Sequence, residues 1–70
     1  MERQHVESSN LKSVGYDDNS AILEVEFHHG AVWQYSDVME SAYHEMMSAS
    51  SLGKYFNANI KGQHPENQVG

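Results

Sequence analysis

Apolar residues run through this 70-residue chain in two rhythms. From Leu11 to Tyr35 they alternate with polar neighbours, the period of a strand with one buried face. From Met39 to Ile60 they recur at three- and four-residue steps, the period of a helix. The first half therefore predicts strands at Leu11–Tyr16, Ala21–Phe27 and Ala31–Tyr35. Ala21, Leu23, Val25 and Phe27 share one face of the middle strand, and Ile22, Glu24 and Glu26 the other. Asp17-Asp18-Asn19-Ser20 predicts a turn, because these side chains bond readily to nearby backbone. His28-His29-Gly30 predicts the next.

The register of the second hairpin decides where Trp33 and Tyr35 point. A two-residue loop, His29-Gly30, sets them opposite Glu26 and Glu24 on the solvent side. A three-residue loop, His28 to Gly30, sets Trp33 opposite Val25 and Tyr35 opposite Leu23, on the core face. Gly30 suits the left-handed position that closes a three-residue loop, and only this choice makes the apolar faces agree. The three-residue loop is expected.

In the second half, Asp37 and Glu40 form a D-x-x-E pattern, expected as a capping box. Met39, Ala42, Tyr43, Met46 and Met47 form the stripe of a first helix. Ser50 or Ser51 can cap a second, whose inward residues are Leu52, Tyr55, Phe56, Asn59 and Ile60. Gly62 and Pro65 end it. The fold class expected is α+β: a three-stranded antiparallel meander followed by two helices packed on one face, βββαα. Residues 1–9 are expected as a flexible arm, 10–62 as a single domain and 63–70 as a disordered tail.

Charge narrows the functional classes. Ten acidic residues face four basic ones, Arg3, Lys12, Lys54 and Lys61, a net charge of -6. Nucleic-acid affinity comes largely from neutralising phosphates, so a broad basic face is excluded and only a small patch remains. No run of apolar residues reaches the roughly 20 needed to cross a bilayer. The polar N-terminus lacks the apolar core of a signal peptide. With no cysteine, the chain reads as a cytoplasmic protein without membrane association, and a monomer is expected.

Catalytic chemistry finds little support. His5, His28, His29, His44 and His64 show no metal-ligand spacing, so no metal or cofactor is expected. Glu24 and Glu26 neighbour each other on what reads as an open polar sheet face, where no cleft shifts a pKa for acid–base work. No G-x-S-x-G, P-loop or G-x-G-x-x-G occurs. The segment GKYFNANIKG is the best binding candidate. Lys54, Asn57 and Lys61 offer cations and an amide to a phosphate, and Tyr55 offers a ring to a base.

The ordered motifs resemble the KTSC domain family over about residues 6 to 62. They are V-x-S-S-N-L at Val6–Leu11, V-G-Y-D at Val14–Asp17, L-E-V-E-F at Leu23–Phe27, and Trp33-Gln34-Tyr35. Asp37-Val38 follows, and S-x-G-K-x-F-N-x-x-I closes the set at Ser51–Ile60. Trp33 replaces the family's usual first tyrosine. The family occurs at the C-terminus of some lysyl-tRNA synthetases and as small free-standing bacterial and phage proteins. The resemblance implies a non-catalytic binding or interaction module. RNA binding is implied by the synthetase association, with a protein-interaction domain, as a homodimer, the other alternative. Polar residues of the pattern that core packing does not explain give the expected ligand or partner surface: Ser9, Asn10, Tyr16, Lys54, Asn57 and Lys61.

Overall fold

A computed structural model describes all residues, 1–70. Its central feature is one antiparallel sheet of five strands in sequence order. The strands are β1 (Gln4–His5), β2 (Leu11–Asp17), β3 (Ile22–Phe27), β4 (Val32–Tyr35) and β5 (Glu66–Gln68). Helices α1 (Glu40–Ser48) and α2 (Leu52–Asn59) lie between β4 and β5 in sequence and supply buried residues to the core. The expected α+β class holds, but the sheet has five strands where the apolar pattern indicated three.

The two extra strands correct the reading of both chain ends. Residues 1–9 contribute β1, which pairs Gln4 with Val14 and His5 with Ser13. Residues 63–70 contribute β5, which pairs Glu66 with Tyr35 and Gln68 with Trp33. Beyond β5, the Val69 N–H donates to the Val32 carbonyl at 2.8 Å. Backbone pairing of this kind needs no apolar alternation, and the two edge strands carry none.

The hairpin register agrees with the three-residue loop. Val25 opposes Trp33 and Leu23 opposes Tyr35, and Gly30 has φ +103°. Between β2 and β3 the register shifts at Lys12. One extra residue lets Leu11 join Val14 on the same face, and both are buried. The Asp17 turn forms through its own side chain, which accepts from the Asn19 N–H at 3.0 Å and the Ser20 hydroxyl at 2.9 Å.

The core contains Leu11, Val14, Leu23, Val25, Tyr35 and Val38 beneath Met46, Phe56 and Ile60 of the helical half. Phe56 meets the sheet edge-on, with ring centroids 5.3 Å from Tyr35 and 5.9 Å from Phe27. Ser51 caps α2 as expected, its hydroxyl accepting from the Lys54 N–H at 3.3 Å. The capping box at α1 does not form. Val38 is buried and its N–H bonds to the Ala21 carbonyl at 3.0 Å, so the chain turns at Asp37 with φ +60°. The helix starts only after Met39, which has no side-chain capping bond and is exposed. Met39 therefore lies outside the buried stripe.

Candidate functional site

The sheet face opposite the core is less open than the sequence indicates. Glu24, expected in solvent, is 6% exposed. Arg3 reaches over β2 and pairs with it, while the Arg3 Nε donates to the Ser13 hydroxyl at 2.9 Å. Gln34 donates to the other Glu24 carboxylate oxygen at 2.8 Å, and Ser13 donates to Glu26 at 2.8 Å. Burial pushes the Glu24 carboxyl upward. The bonds from Gln34 and Arg3, with the Arg3 charge, outweigh it and hold the carboxyl below the usual glutamate range. Both Glu24 carboxylate oxygens are engaged, so this cluster acts as a structural clasp for the N-terminal segment.

An open groove of about 470 Å³ lies where the β1–β2 loop, the β3–β4 hairpin and the end of α2 meet. The loop contributes Ser9 and Asn10, and α2 with its following turn contributes Asn57 and Lys61. The fold thus gathers four of the six residues singled out in the sequence. The hairpin adds Phe27, His28 and His29. Tyr16 lies elsewhere: it stacks on Tyr43 at 4.8 Å and its hydroxyl donates to the Val38 carbonyl at 2.6 Å. It holds α1 against the sheet. Lys54 is exposed in the first turn of α2 and lines none of the grooves.

The groove walls are braced from behind. The His28 N–H donates to the Asn10 carbonyl at 3.1 Å. Its ring Nε2 lies 2.8 Å from the Ser8 carbonyl, which can only accept, so Nε2 carries the proton. The Ser8 hydroxyl in turn accepts from the Leu11 N–H at 3.4 Å. Gly53 lets α2 approach, since a Cβ there would lie 3.0 Å from that hydroxyl. The Lys61 N–H bonds to the Phe56 carbonyl at 2.9 Å. Gln63 takes up the Ala58 carbonyl and Asn59 that of Tyr55, so the end of α2 presents few bare oxygens.

Donors dominate this groove. It holds one ammonium, two imidazoles, two amides and a hydroxyl, and no carboxylate. In a chain of net charge -6, that is a local reversal of sign suited to an anion. The sequence missed His28 and His29 because adjacent turn histidines look solvated. The only signal was their position in a loop that the three-residue register fixes.

Beside it lies a second groove of about 550 Å³, sharing Phe27, His29 and Lys61 and extending over Trp33, Tyr35, Glu66 and Gln68. Trp33 is on the core-side face yet only half-buried, and it lines this groove. No three His, Asp or Glu side chains converge as a metal site would require. No helix is long and apolar enough to cross a membrane.

A five-stranded antiparallel sheet with two helices defines a compact α+β domain. This chain belongs to the KTSC domain family, whose model matches residues 7–64. It is similar to the crystal structure of a KTSC domain protein from Yersinia pestis, with TM-score 0.92 and 40% identity, covering 99% of this chain and 97% of that one. An uncharacterized protein of Stutzerimonas stutzeri is 44% identical over 91% of this chain and 90% of its own length. A lysine–tRNA ligase of Nostoc punctiforme is 35% identical over 81% of this chain, which spans 10% of that enzyme.

Proposed function

We propose that this domain is a non-catalytic binding module, and that the groove between the β3–β4 hairpin and α2 takes the anionic part of its ligand. The observation that carries the reading is the gathering of Ser9, Asn10, His28, His29, Asn57 and Lys61 around one groove free of carboxylates. Catalysis is disfavoured by the same geometry. The grooves are open to solvent, and the one buried carboxylate, Glu24, has its hydrogen bonds filled by Arg3 and Gln34.

RNA is the anion we favour. A domain similar to this one forms a tenth of lysine–tRNA ligases, which act on a polyanion. Few cations line the groove, so binding should be modest and its salt dependence shallow. An amide-shift titration with mixed tRNA at low and moderate salt tests the reading. Shifts should centre on Asn10, His28, Asn57 and Lys61 and fade as salt rises. Lys61→Ala should weaken them, while Lys54→Ala, outside the groove, should leave them nearly unchanged. No shift at low salt removes the anion-binding reading.

A further inference from the structure

We infer that the second groove, over Trp33 and Tyr35, is a base-binding subsite, so that the two grooves together hold one unstacked nucleotide of a single-stranded RNA. This inference rests on the anion-binding reading and extends it from a charge to a defined ligand.

Three observations carry it. First, the grooves are continuous: Phe27, His29 and Lys61 line both. The rings of Phe27 and His29 lie parallel within 3° at 5.4 Å, a stacked pair that forms the shared wall. A phosphate beside Lys61 and a planar base against Trp33 are therefore held by adjoining parts of one surface. Aromatic side chains hold bases in this way in many single-strand binders.

Second, the aromatic groove contains an unused donor. Tyr35 is 2% exposed and lines the groove; its hydroxyl makes no hydrogen bond within the chain and is not a buried unpaired atom, so it reaches the groove surface. A hydroxyl at a groove surface that the chain itself does not use is free to bond a polar atom of a ligand. Burial pushes its pKa up, with help from the Glu66 carboxylate, to about 12. It therefore keeps its proton at neutral pH and donates.

Third, the two grooves differ in charge. The first has no carboxylate; the second has Glu66. Glu66 repels a phosphate and accepts from an exocyclic amine, as carboxylates do with cytosine. This fixes the orientation, with phosphate toward Asn57 and Lys61 and base toward Glu66. It also excludes phosphotyrosine, whose ring has no donor to offer Glu66. Base pairing excludes a duplex, because its bases are stacked and their edges taken.

Trp33 is the sole tryptophan, so its emission reports on the second groove alone. The test compares a tetraadenylate RNA, a stable GC-rich RNA duplex, ribose 5-phosphate and adenosine 5′-monophosphate. Tetraadenylate should quench Trp33 and shift the Asn10, Asn57 and Lys61 amides. Ribose 5-phosphate and the duplex should move those amides and leave Trp33 emission unchanged. Tyr35→Phe should weaken tetraadenylate about three- to tenfold and leave ribose 5-phosphate binding unaltered. Amide shifts from tetraadenylate with constant Trp33 emission would overturn the base subsite while the anion groove stands. An absence of shifts with every probe would overturn both. Monophosphate binding as tight as that of tetraadenylate would make a free nucleotide, not RNA, the occupant.

Discussion

Arg3 closes over the middle of the sheet onto Glu24, 21 residues away in sequence and two strands across. The pair joins the segment leading into the N-terminal edge strand to the middle strand, β3, which contributes Leu23 and Val25 to the core. It leaves Glu24 with a side chain only 8% exposed. Arg3→Ala strands that carboxylate with Gln34 as its remaining partner. The expected loss is about 1–3 kcal/mol, the range for a hydrogen bond to a charged group and its desolvated partner. Urea unfolding of wild type and variant at neutral pH measures it, and unchanged midpoints would show that the clasp contributes nothing.

The same pair sets an acid dependence. The Glu24 carboxyl is held below its ordinary value. A depressed carboxyl stabilises the fold above its unfolded-state pKa, and that contribution is lost as pH falls through the lower folded-state value. Glu24→Gln should therefore give a lower stability at neutral pH and a flatter profile in the acid range. Parallel acid profiles for the two proteins would place the titrating group elsewhere.

Gly15 permits the N-terminal segment to cross β2. A Cβ on it would lie 2.5 Å from the Glu2 carbonyl oxygen, a backbone atom that cannot swing aside. Gly15→Ala should lift the segment and free β1 without unfolding the helical half. Hydrogen exchange reads this directly. The Val6 N–H, bonded to the Lys12 carbonyl at 3.1 Å, should lose protection while amides of β3 keep theirs.

Tyr16 holds α1 through its ring and hydroxyl. Tyr16→Phe keeps the stack on Tyr43 and removes the bond to the Val38 carbonyl. A loss of about 1 kcal/mol is expected, with ligand binding unaltered. Thermal unfolding combined with the tRNA titration separates the two effects.

At the alkaline end, Tyr35 should govern. Its folded-state pKa is raised to about 12 from an ordinary 10.0. A raised phenol pKa stabilises the fold below the unfolded value and loses that contribution as pH rises through the folded one. Tyr35→Phe should flatten stability across that alkaline window. Ultraviolet titration should show one tyrosine that resists ionisation until unfolding.

Much of this was legible in the chain because local forces decide it. Alternation along Ala21–Phe27 and a glycine at position 30 set the hairpin register, since a slip of one residue would expose the whole apolar face. Asp17 folds its own turn, and Ser51 caps its own helix. Ser9, Asn10, Asn57 and Lys61 stood out as polar residues without a packing role. What brings them together is tertiary: α2 must pack through Phe56 onto Phe27 and Tyr35 before its end can reach the loop at Asn10. His28 and His29 join them only then.

The sequence by itself determined the three central strands, the core face of the sheet and the two helices, because each follows from residue spacing and nearby turn chemistry; Met39 and Asn59, counted on the helical stripes, are exposed. Tertiary structure decided the edge strands, the start of α1 and the state of Glu24. Backbone hydrogen bonds form β1 and β5 without regard to side-chain pattern. Val38, pinned to Ala21, overrides the cap at Asp37. A carboxylate that alternation assigns to solvent is buried instead, because an arginine from the far end of the sheet lies over it.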